Sequence, residues 1–431
     1  MNKRITTLLI AMIFGYQGLS LAADTQVDSL IRKLVDKGIL TDKEATGLKG
    51  EIAYDEKSLR ETNMKKDIPE WVQNTKVTGD FRARLQTSHR QGAGTVENTQ
   101  GRMRARLNLE MKPNDKAKVV IGIATNGGAN NARSNNVTFS GDTSTEAANK
   151  PFAKTNVVLN KAYGQYKFND NWSGTLGKMD NPIWEPMEFL WDSDITPEGG
   201  SLRFDHKVSN TIDVFATGNF FMLNNFSGST SDPSVWVAQI GGTVKPTEKA
   251  DIKIVGSYHG YQNIKSGFTG SRSNNTAGLA ANGATSLLYD YSAPMGAAEI
   301  GFNDVLPEAF PLYIPRMAVF GEFTKNPAAK TQDVAWMAGS YLGNSKVNGF
   351  GTWKLTGAYK VINRDAWLDI LPDSDFYSGN TGVKGTEGIL EVGLAKNMSF
   401  VLDYYETRKI KIGTGSKAKE RLLQADLNWK F

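Results

Sequence analysis

Apolar and polar residues alternate strictly along RMRARLNLEMK, residues 102–112. The odd positions hold only apolar side chains: Met103, Ala105, Leu107, Leu109 and Met111. The even positions begin with Arg102, Arg104 and Arg106. Because successive side chains of a β-strand point to opposite faces, the run predicts a strand with one apolar and one strongly charged face. Such a strand suits a soluble sheet with an apolar interior, or a membrane barrel with an apolar exterior.

The same period of two begins near residue 75, in WVQNTKVTGDFRARLQ, and continues to the C-terminal LLQADLNWKF. It recurs often enough to predict about 16 strands. The connections between these strands alternate in length. Short turns, such as 113–115 and 169–171, are followed by long stretches rich in Gly, Asn, Ser and Thr. The long stretches cover residues 88–101, 127–153, 180–200, 224–233, 262–286 and 363–385.

This sorting of short and long connections favours the membrane barrel, because outer-membrane barrels have short periplasmic turns and long outer loops. A soluble sandwich has no physical reason to sort its loops. One connection, VLPEAFPLYIP at 305–315, is long where a short turn is expected and counts against the strand register there. We therefore predict an all-β fold, a transmembrane antiparallel β-barrel of about 16 strands over 71–431, preceded by a short periplasmic helical segment.

The N-terminal sequence predicts export. MNKRITTLLIAMIFGYQGLSLAAD places Lys3 and Arg4 before a short apolar stretch and ends in a small-residue cleavage motif. This pattern predicts a signal peptide over residues 1–22. The apolar stretch is too short to span a bilayer comfortably, which argues against an uncleaved membrane anchor.

Residues 23–70 differ from the strands that follow, because their apolar residues recur at helical spacing. Gly38 is placed to end a first helix, and Thr41 with Glu44 forms a capping box for a second helix. A helical hairpin packed on itself, an oligomerising coiled coil and a cell-wall contact all fit this segment. The apolar stripe is too short to decide between them.

The last predicted strand ends at the C-terminal residue itself. Its apolar row consists of Leu423, Ala425, Leu427, Trp429 and Phe431. A terminal Phe preceded by alternating apolar residues resembles the assembly signal of bacterial outer-membrane proteins. We assign that role to Leu427, Trp429 and Phe431, and the resemblance implies the barrel-assembly machinery as a partner.

Composition narrows the class of protein further. The chain has 431 residues, no cysteine, and 50 basic against 45 acidic residues. A charge so close to balance gives no reason to expect a nucleic-acid partner. After the first 22 residues there is no run of about 18 apolar residues, which excludes a helical inner-membrane protein.

Motifs for catalysis and metal binding are weak. His89, His206 and His259 lie on separate segments without metal-ligand spacing, and no G-x-S-x-G nucleophile motif occurs. The DSD repeats at 192–194 and 373–375 offer carboxylates suited to calcium, although such pairs are more common in solvated turns. We expect no enzyme activity, no metal and no cofactor, and an active site assembled from separate strands is the alternative.

Five segments are distinctive: LIRKLVDKGILTDKEA, WVQNTKVTGDFRARLQ, GTLGKMDNPIWEP, LPDSDFYSGNTGVKGTEG and the terminal LNWKF. Together they resemble Gram-negative general-type porins, in particular the group with a short helical segment between signal peptide and barrel. The resemblance implies an outer-membrane location, contact with outer-membrane lipid, and a helical segment in the periplasm. It also implies passive diffusion of small hydrophilic solutes and ions, and a homotrimer as in many porins.

Porins of this type fold their third outer loop into the lumen, and the corresponding segment here is MDNPIWEPMEFLWDSDITPEGG, near 180–200. It contains no basic residue. Its candidate constriction acids are Asp180, Glu185, Glu188, Asp192 and Asp194. We expect some of them to face a basic wall of Arg82, Arg84, Arg102, Arg104 and Arg106. Opposed charges across a narrow eyelet create a transverse field that orients dipolar solutes.

Three alternatives stay open. The segment near 180–200 also fits an ordinary packed loop whose acids are solvated. A plugged or narrow barrel that acts as an adhesin, or as a specific binding or transport protein, has the same strand alternation. A soluble exported β protein is the third alternative.

Overall fold

The computed structural model describes residues 23–52, 54, 69–91, 96–126, 131–140, 154–225, 231–265, 273–279, 285–306, 313–410 and 418–431. The predicted signal peptide, residues 1–22, lies outside these ranges. The chain divides into two compact units, Met1–Gln73 and Asn74–Phe431, and each is described by itself. The second unit begins three residues after the predicted barrel boundary.

The first unit is helical. Helix α1 spans Ala23–Asp36, α2 covers residues 42–52, and α3 is the single turn Glu70–Gln73. None of the helices that the structure describes is long and apolar enough to cross a bilayer. Ile31 of α1 and Ala45 of α2 are buried. The choice between a self-packed hairpin and an oligomerising coiled coil stays a prediction.

Both predicted helix caps are present. Gly38 has φ 66°, and its N–H donates to Val35 O at 2.8 Å, an arrangement that ends α1. Thr41 N–H donates to Glu44 Oε2 at 2.9 Å, and Glu44 N–H donates to Thr41 Oγ1 at 3.3 Å. These two bonds form the capping box that starts α2.

The second unit is an antiparallel sheet in which consecutive long strands pair. Strands β1 to β10 are Lys76–Gln91, Val96–Met111, Ala117–Asn126, Val137–Thr138, Asn156–Lys167, Trp172–Lys178, Glu198–Lys207, Ile212–Met222, Ser234–Thr247 and Ala250–Gln262. Strands β11 to β19 are Thr276–Leu279, Thr285–Leu287, Ala293–Leu306, Ile314–Lys325, Val334–Gly343, Trp353–Ile362, Val383–Ala395, Met398–Lys409 and Lys419–Lys430. β11 and β12 form a separate hairpin, and β4 is a two-residue addition beside β2. The other 16 strands make up the barrel.

Pairing of the first strand with the last closes the barrel. β1 is antiparallel to both β2 and β19, with Phe81 opposite Trp429. The terminal residue takes part, because Phe431 N–H donates to Gly79 O at 3.0 Å and Gly79 N–H donates to Phe431 O at 2.9 Å. A closed sheet leaves no edge strand with unpaired backbone groups, which a bilayer would penalise. The predicted 16-stranded antiparallel barrel is confirmed.

The two ends of the barrel differ in the length of their connections. At one end, which we call the turn rim, the shortest connections are 112–116, 168–171, 208–211, 248–249 and 396–397. At the other end, the loop rim, the longest connections are 127–155, 179–197, 263–292 and 363–382. The VLPEAFPLYIP connection joins β13 to β14 at the turn rim, so the strands predicted on either side pair as expected. Residues 307–312 of that connection lie outside the described part.

Alternating burial assigns the two faces of each strand. In β2, Arg104 is partly buried and Leu107 is exposed on the outer surface. In β19, Asp426 is buried and Leu423 is exposed on the outer surface. Apolar residues therefore face outward and charged residues face the lumen in both strands, as predicted.

An apolar core lies within the barrel, and we call it the luminal core. Two loop-rim segments, 179–197 and 363–382, build it together with inward-facing strand residues. Leu190 and Trp367 are fully buried, and Trp367 Nε1–H donates to Leu190 O at 2.9 Å. The expectation that 363–385 forms an outer loop is wrong for most of its length, because its apolar side chains are buried against the first segment.

Replacement of Trp367 by alanine tests whether the luminal core stabilises the barrel. Trp367→Ala removes a fully buried indole and its hydrogen bond. We expect the free energy of unfolding, measured with denaturant in detergent micelles, to fall by about 3–5 kcal/mol. Trp336→Ala is the matched control, because Trp336 lies on the outer surface of β15 and is 37% exposed. Equal losses in the two variants would contradict a stabilising luminal core.

Candidate functional site

Five inward-facing arginines of β1 and β2 form a patch that we call the arginine wall: Arg82, Arg84, Arg102, Arg104 and Arg106. The antiparallel register places Arg82 opposite Arg104 and Arg84 opposite Arg102. Arg102 Nη1 donates to Gln86 Oε1 at 3.2 Å. Strand pairing thus concentrates positive charge on two adjacent strands, and such a concentration requires carboxylates or mobile anions nearby.

Arg84 is held from two sides. Asp426 on β19 accepts hydrogen bonds from Arg84 Nε at 2.7 Å and from Nη2 at 2.8 Å. Asp375, in the segment 363–382, accepts one from Arg84 Nη1 at 3.2 Å. The bidentate pair follows from barrel closure, because the register of β1 with β19 places Arg84 opposite Asp426. Arg82 Nη1 also lies 3.5 Å from Asp426 Oδ2, and Arg82 Nη2 donates to Asn136.

Asp194 is the predicted loop acid that reaches the wall. Its Oδ1 lies 3.4 Å from Arg104 Nη1 and 3.3 Å from Arg106 Nη1. Its Oδ2 accepts the N–H of Asn135 at 3.3 Å. Asp80 on β1 contacts the same two arginines, with Arg106 Nε donating to it at 2.8 Å. Two arginines therefore lie between two carboxylates, one on a strand and one on an inward loop.

In the described part of the chain, no ion pair joins the other four predicted loop acids to the wall. Asp180 pairs with Lys161 near the start of the loop. Glu185, Glu188 and Asp192 accept backbone N–H groups within the loop itself. These hydrogen bonds hold the turns of the loop.

Two DSD repeats, far apart in the sequence, meet in the lumen. In the first repeat, Asp194 N–H donates to Asp192 Oδ1 at 2.9 Å, and in the second, Asp375 N–H donates to Asp373 Oδ1 at 2.9 Å. Ser374 N–H joins the repeats by donating to Asp192 Oδ2 at 2.8 Å. Each repeat sends its last carboxylate to the arginine wall, whereas its first carboxylate holds the turn.

Lys360 supplies positive charge to a group that we call the acids behind the wall: Glu188, Asp192, Asp373 and Glu387. Glu188, Asp192 and Asp373 have carboxylate oxygens within 4.8 Å of one another, a spacing that a divalent cation can use. Lys360 Nζ already donates to Asp373 Oδ2 at 3.1 Å and to Glu188 O at 2.6 Å, and it pairs with Glu387. The expected absence of a metal stays a prediction.

Burial and neighbouring charge set the acidity of the loop carboxylates. Burial, followed by the charge of Asp373, raises the pKa of Glu188 well above its ordinary value. Burial also raises the pKa of Asp192 well above its ordinary value. Burial alone would raise the pKa of Asp375, but Arg84 and its neighbours in the wall lower that pKa below its ordinary value. The wall therefore keeps its carboxylate ionised.

Arg133, which the sequence did not single out, connects a third loop-rim segment to the segment 363–382. Its Nη1 donates at 3.0 to 3.1 Å to the carbonyl oxygens of Asp369, Pro372 and Gly379. Gly379 has φ 69°, and a Cβ there would collide with Arg133. Tyr377 and Ser378 also have positive φ, at 52° and 57°. Non-glycine residues adopt this left-handed turn only where the surrounding contacts impose it.

Three polar cavities lead from the loop rim to the arginine wall. The constriction cavity, about 280 Å³, is lined both by arginines of the wall, including Arg104, and by Asp194, which contacts Arg104 directly. The middle cavity, about 400 Å³, shares Ser374 and Asp375 with it. The mouth cavity, about 640 Å³, lies at the loop rim and shares Arg90 with the middle cavity.

The residues assigned to the assembly signal lie at the turn-rim end of β19. Leu427 is opposite Ala83, and the rings of Trp429 and Phe81 are 5.5 Å apart between centroids. Phe431 is exposed on the outer surface beside Gly79. They contribute to barrel closure, and their recognition by an assembly machinery stays a prediction.

Comparisons with known proteins relate the chain to bacterial channels. A family model described as "Putative porin" matches residues 93–296 and 297–431. OprB of Pseudomonas putida is 11% identical over 83% of this chain and 94% of that chain, with a TM-score of 0.51. A mutant Rhodopseudomonas blastica porin is 10% identical over 83% of this chain and 100% of that chain, with a TM-score of 0.43. The outer membrane channel DcaP of Acinetobacter baumannii is 12% identical over 83% of this chain and 97% of that chain, with a TM-score of 0.44. No curated protein sequence matches the chain.

Neutralisation of Glu188 tests the charge balance behind the wall. A folded-state pKa above the unfolded value near 4.3 means that the ionised group destabilises the fold as the pH rises above about 4. We expect Glu188→Gln to raise the thermal midpoint at pH 7, and the gain to disappear as the pH falls towards 4. A gain independent of pH would contradict the assignment.

Proposed function

The chain belongs to this porin family and is an outer-membrane β-barrel channel, and from that premise we propose that small hydrophilic solutes and ions diffuse through it passively. The observation that carries the proposal is the constriction cavity, which is lined by arginines of the wall and by carboxylates of the inward loops, including Asp194. A cavity lined by opposed charges favours hydrated polar solutes and disfavours apolar solutes.

The eyelet consists of the arginine wall and the two inward loop segments. Asp194 approaches the wall from the first segment and Asp375 approaches it from the second. Because strand register fixes the arginines and loop hydrogen bonds fix the acids, these ion pairs present ordered charges to the pore, and their field orients a dipolar solute.

Charge counting at the eyelet favours a modest preference for anions. Four carboxylates contact Arg82, Arg84, Arg104 and Arg106 of the wall: Asp80, Asp194, Asp375 and Asp426. The acids behind the wall are compensated in part by Lys360. The constriction cavity is also lined by Glu188, Asp192, Glu387 and Asp403, so the preference for anions should be weak and should decrease at high salt.

The remaining parts of the proposal concern the surroundings of the barrel. The outer surface contacts outer-membrane lipid, and three copies form a trimer. The barrel-assembly machinery recognises the C-terminal strand, and the helical segment 23–70 lies in the periplasm. The chain acts as a channel without enzymatic activity, metal or cofactor.

A plugged barrel that binds ligands at its outer loops is the second candidate, and the luminal core favours it, because two inward segments fill part of the lumen. Liposome swelling with sugars of increasing size separates the two functions. We expect swelling rates that decrease with the size of the sugar, as a water-filled constriction requires. No swelling with the smallest sugars would support the plugged barrel and contradict passive diffusion.

Two substitutions at the eyelet should shift ion selectivity in opposite directions. Arg104→Gln removes a positive charge from the wall and should move the reversal potential, measured in planar bilayers under a salt gradient, towards cation preference. Asp194→Asn frees the charges of Arg104 and Arg106 and should move it towards anion preference. Shifts of the same sign would contradict the eyelet.

The matched controls remove the same charges outside the eyelet. Arg421→Gln changes an exposed arginine on the outer face of β19, and Glu406→Gln changes its ion-pair partner on the outer face of β18. Both controls should keep the wild-type reversal potential. A shift in Arg421→Gln as large as that in Arg104→Gln would show that the effect does not come from the eyelet.

A further inference from the structure

The mouth cavity has the composition of an anion-binding site. Its cations come from three different elements: Arg90 and Lys409 are the last inward-facing residues of β1 and β18, and Arg364 follows β16. Asn380 and Thr381 add an amide and a hydroxyl. Among the described residues that line this cavity there is no acid.

Two of these three cations have no acidic partner in the described part of the chain. Arg90 is neutralised by Glu420 on the neighbouring strand. Arg364 Nη1 donates only to the neutral Asn275 Oδ1, at 3.2 Å, and Lys409 lies 6.0 Å from the ring centroid of Tyr377. The adjoining segments 266–272 and 411–417 contain no Asp or Glu in the sequence. Among the described residues, Arg364 and Lys409 thus bring positive charge to the cavity without an acid in ion-pair contact.

The floor of the mouth cavity is preorganised. Asp369 Oδ2 accepts the N–H of Asn274 at 3.0 Å and the hydroxyl of Ser273 at 2.9 Å. Asp365 Oδ1 accepts the N–H of Asn275 at 2.8 Å. These bonds engage the nearest carboxylates of the segment 363–382 and hold the floor residues in place. A site held rigidly in this way loses little conformational entropy when a ligand binds.

We propose that the mouth cavity binds a small hydroxylated organic anion, such as a sugar phosphate, before the anion enters the pore. Arg364 and Lys409 bind the phosphate or carboxylate group through charge-assisted hydrogen bonds, and the side-chain amide of Asn380 binds a hydroxyl group. The volume of about 640 Å³ accommodates a monosaccharide phosphate. This inference rests on the proposed function, because the anion is a free solute that passes from the mouth cavity towards the constriction.

Titration calorimetry of the full chain in lipid-free detergent, with glucose 6-phosphate as the probe, tests the site independently of conduction. We expect saturable binding that is about tenfold weaker for each removed cation, since each supplies a charge-assisted hydrogen bond. The test variant is Arg364→Gln with Lys409→Gln. Because Lys409 is exposed, Lys409→Gln alone should fold normally and show the intermediate loss.

The matched control removes two charges at the same height on the outer face, Lys384→Gln with Arg408→Gln, a cross-strand pair next to the cavity. It should bind like the wild type, and neutral glucose should bind at least about tenfold more weakly than glucose 6-phosphate. Absence of saturable binding, or equal binding by the test variant and the wild type, would overturn the mouth site. Binding without bilayer conductance would refute the channel and leave the mouth site intact. Conductance without binding would refute the mouth site and leave the channel intact.

Discussion

Backbone hydrogen bonding between β1 and β19 is the contact on which the rest of the molecule depends. It removes the sheet edges that lipid does not tolerate, and it gives every strand one outer and one luminal face. The same register places Arg84 opposite Asp426, so the closure that satisfies the backbone also compensates the most buried arginine of the wall. The concentration of five arginines on two strands is tolerated because carboxylates from β1, β19 and the inward loops contact Arg82, Arg84, Arg104 and Arg106.

The lumen combines an apolar and a charged half. Trp367 and Leu190 join the two inward segments in the luminal core, while the DSD repeats of the same segments send Asp194 and Asp375 to the wall. Apolar packing therefore fixes the position of the charges that a solute meets. Lys360 lies between the two halves and compensates acids that burial would otherwise disfavour.

The period of two predicts the strands, the closed barrel and the inward arginines. Each side chain of a barrel strand points either to the lumen or to the outer surface. The ionic partners could not be predicted in the same way. Asp194 was one of five candidate acids for contact with the wall. Its position depends on a turn in which Asp192 accepts its N–H, and Asp192 is in turn bonded to Ser374 from a distant loop. The sequence of 363–382 has no local periodicity from which its inward fold could be predicted. Its apolar residues, including Trp367, were the available signal.

The central claim is that two packed loop segments form the constriction, and single-channel conductance tests it most directly. Replacement of residues 366–380 by a short Gly-Ser turn removes Trp367 from the luminal core and Asp375 from the wall, while the strands remain. The conductance of this variant should exceed that of the wild type, because the pore then widens. A conductance equal to that of the wild type would contradict a constriction built from both segments.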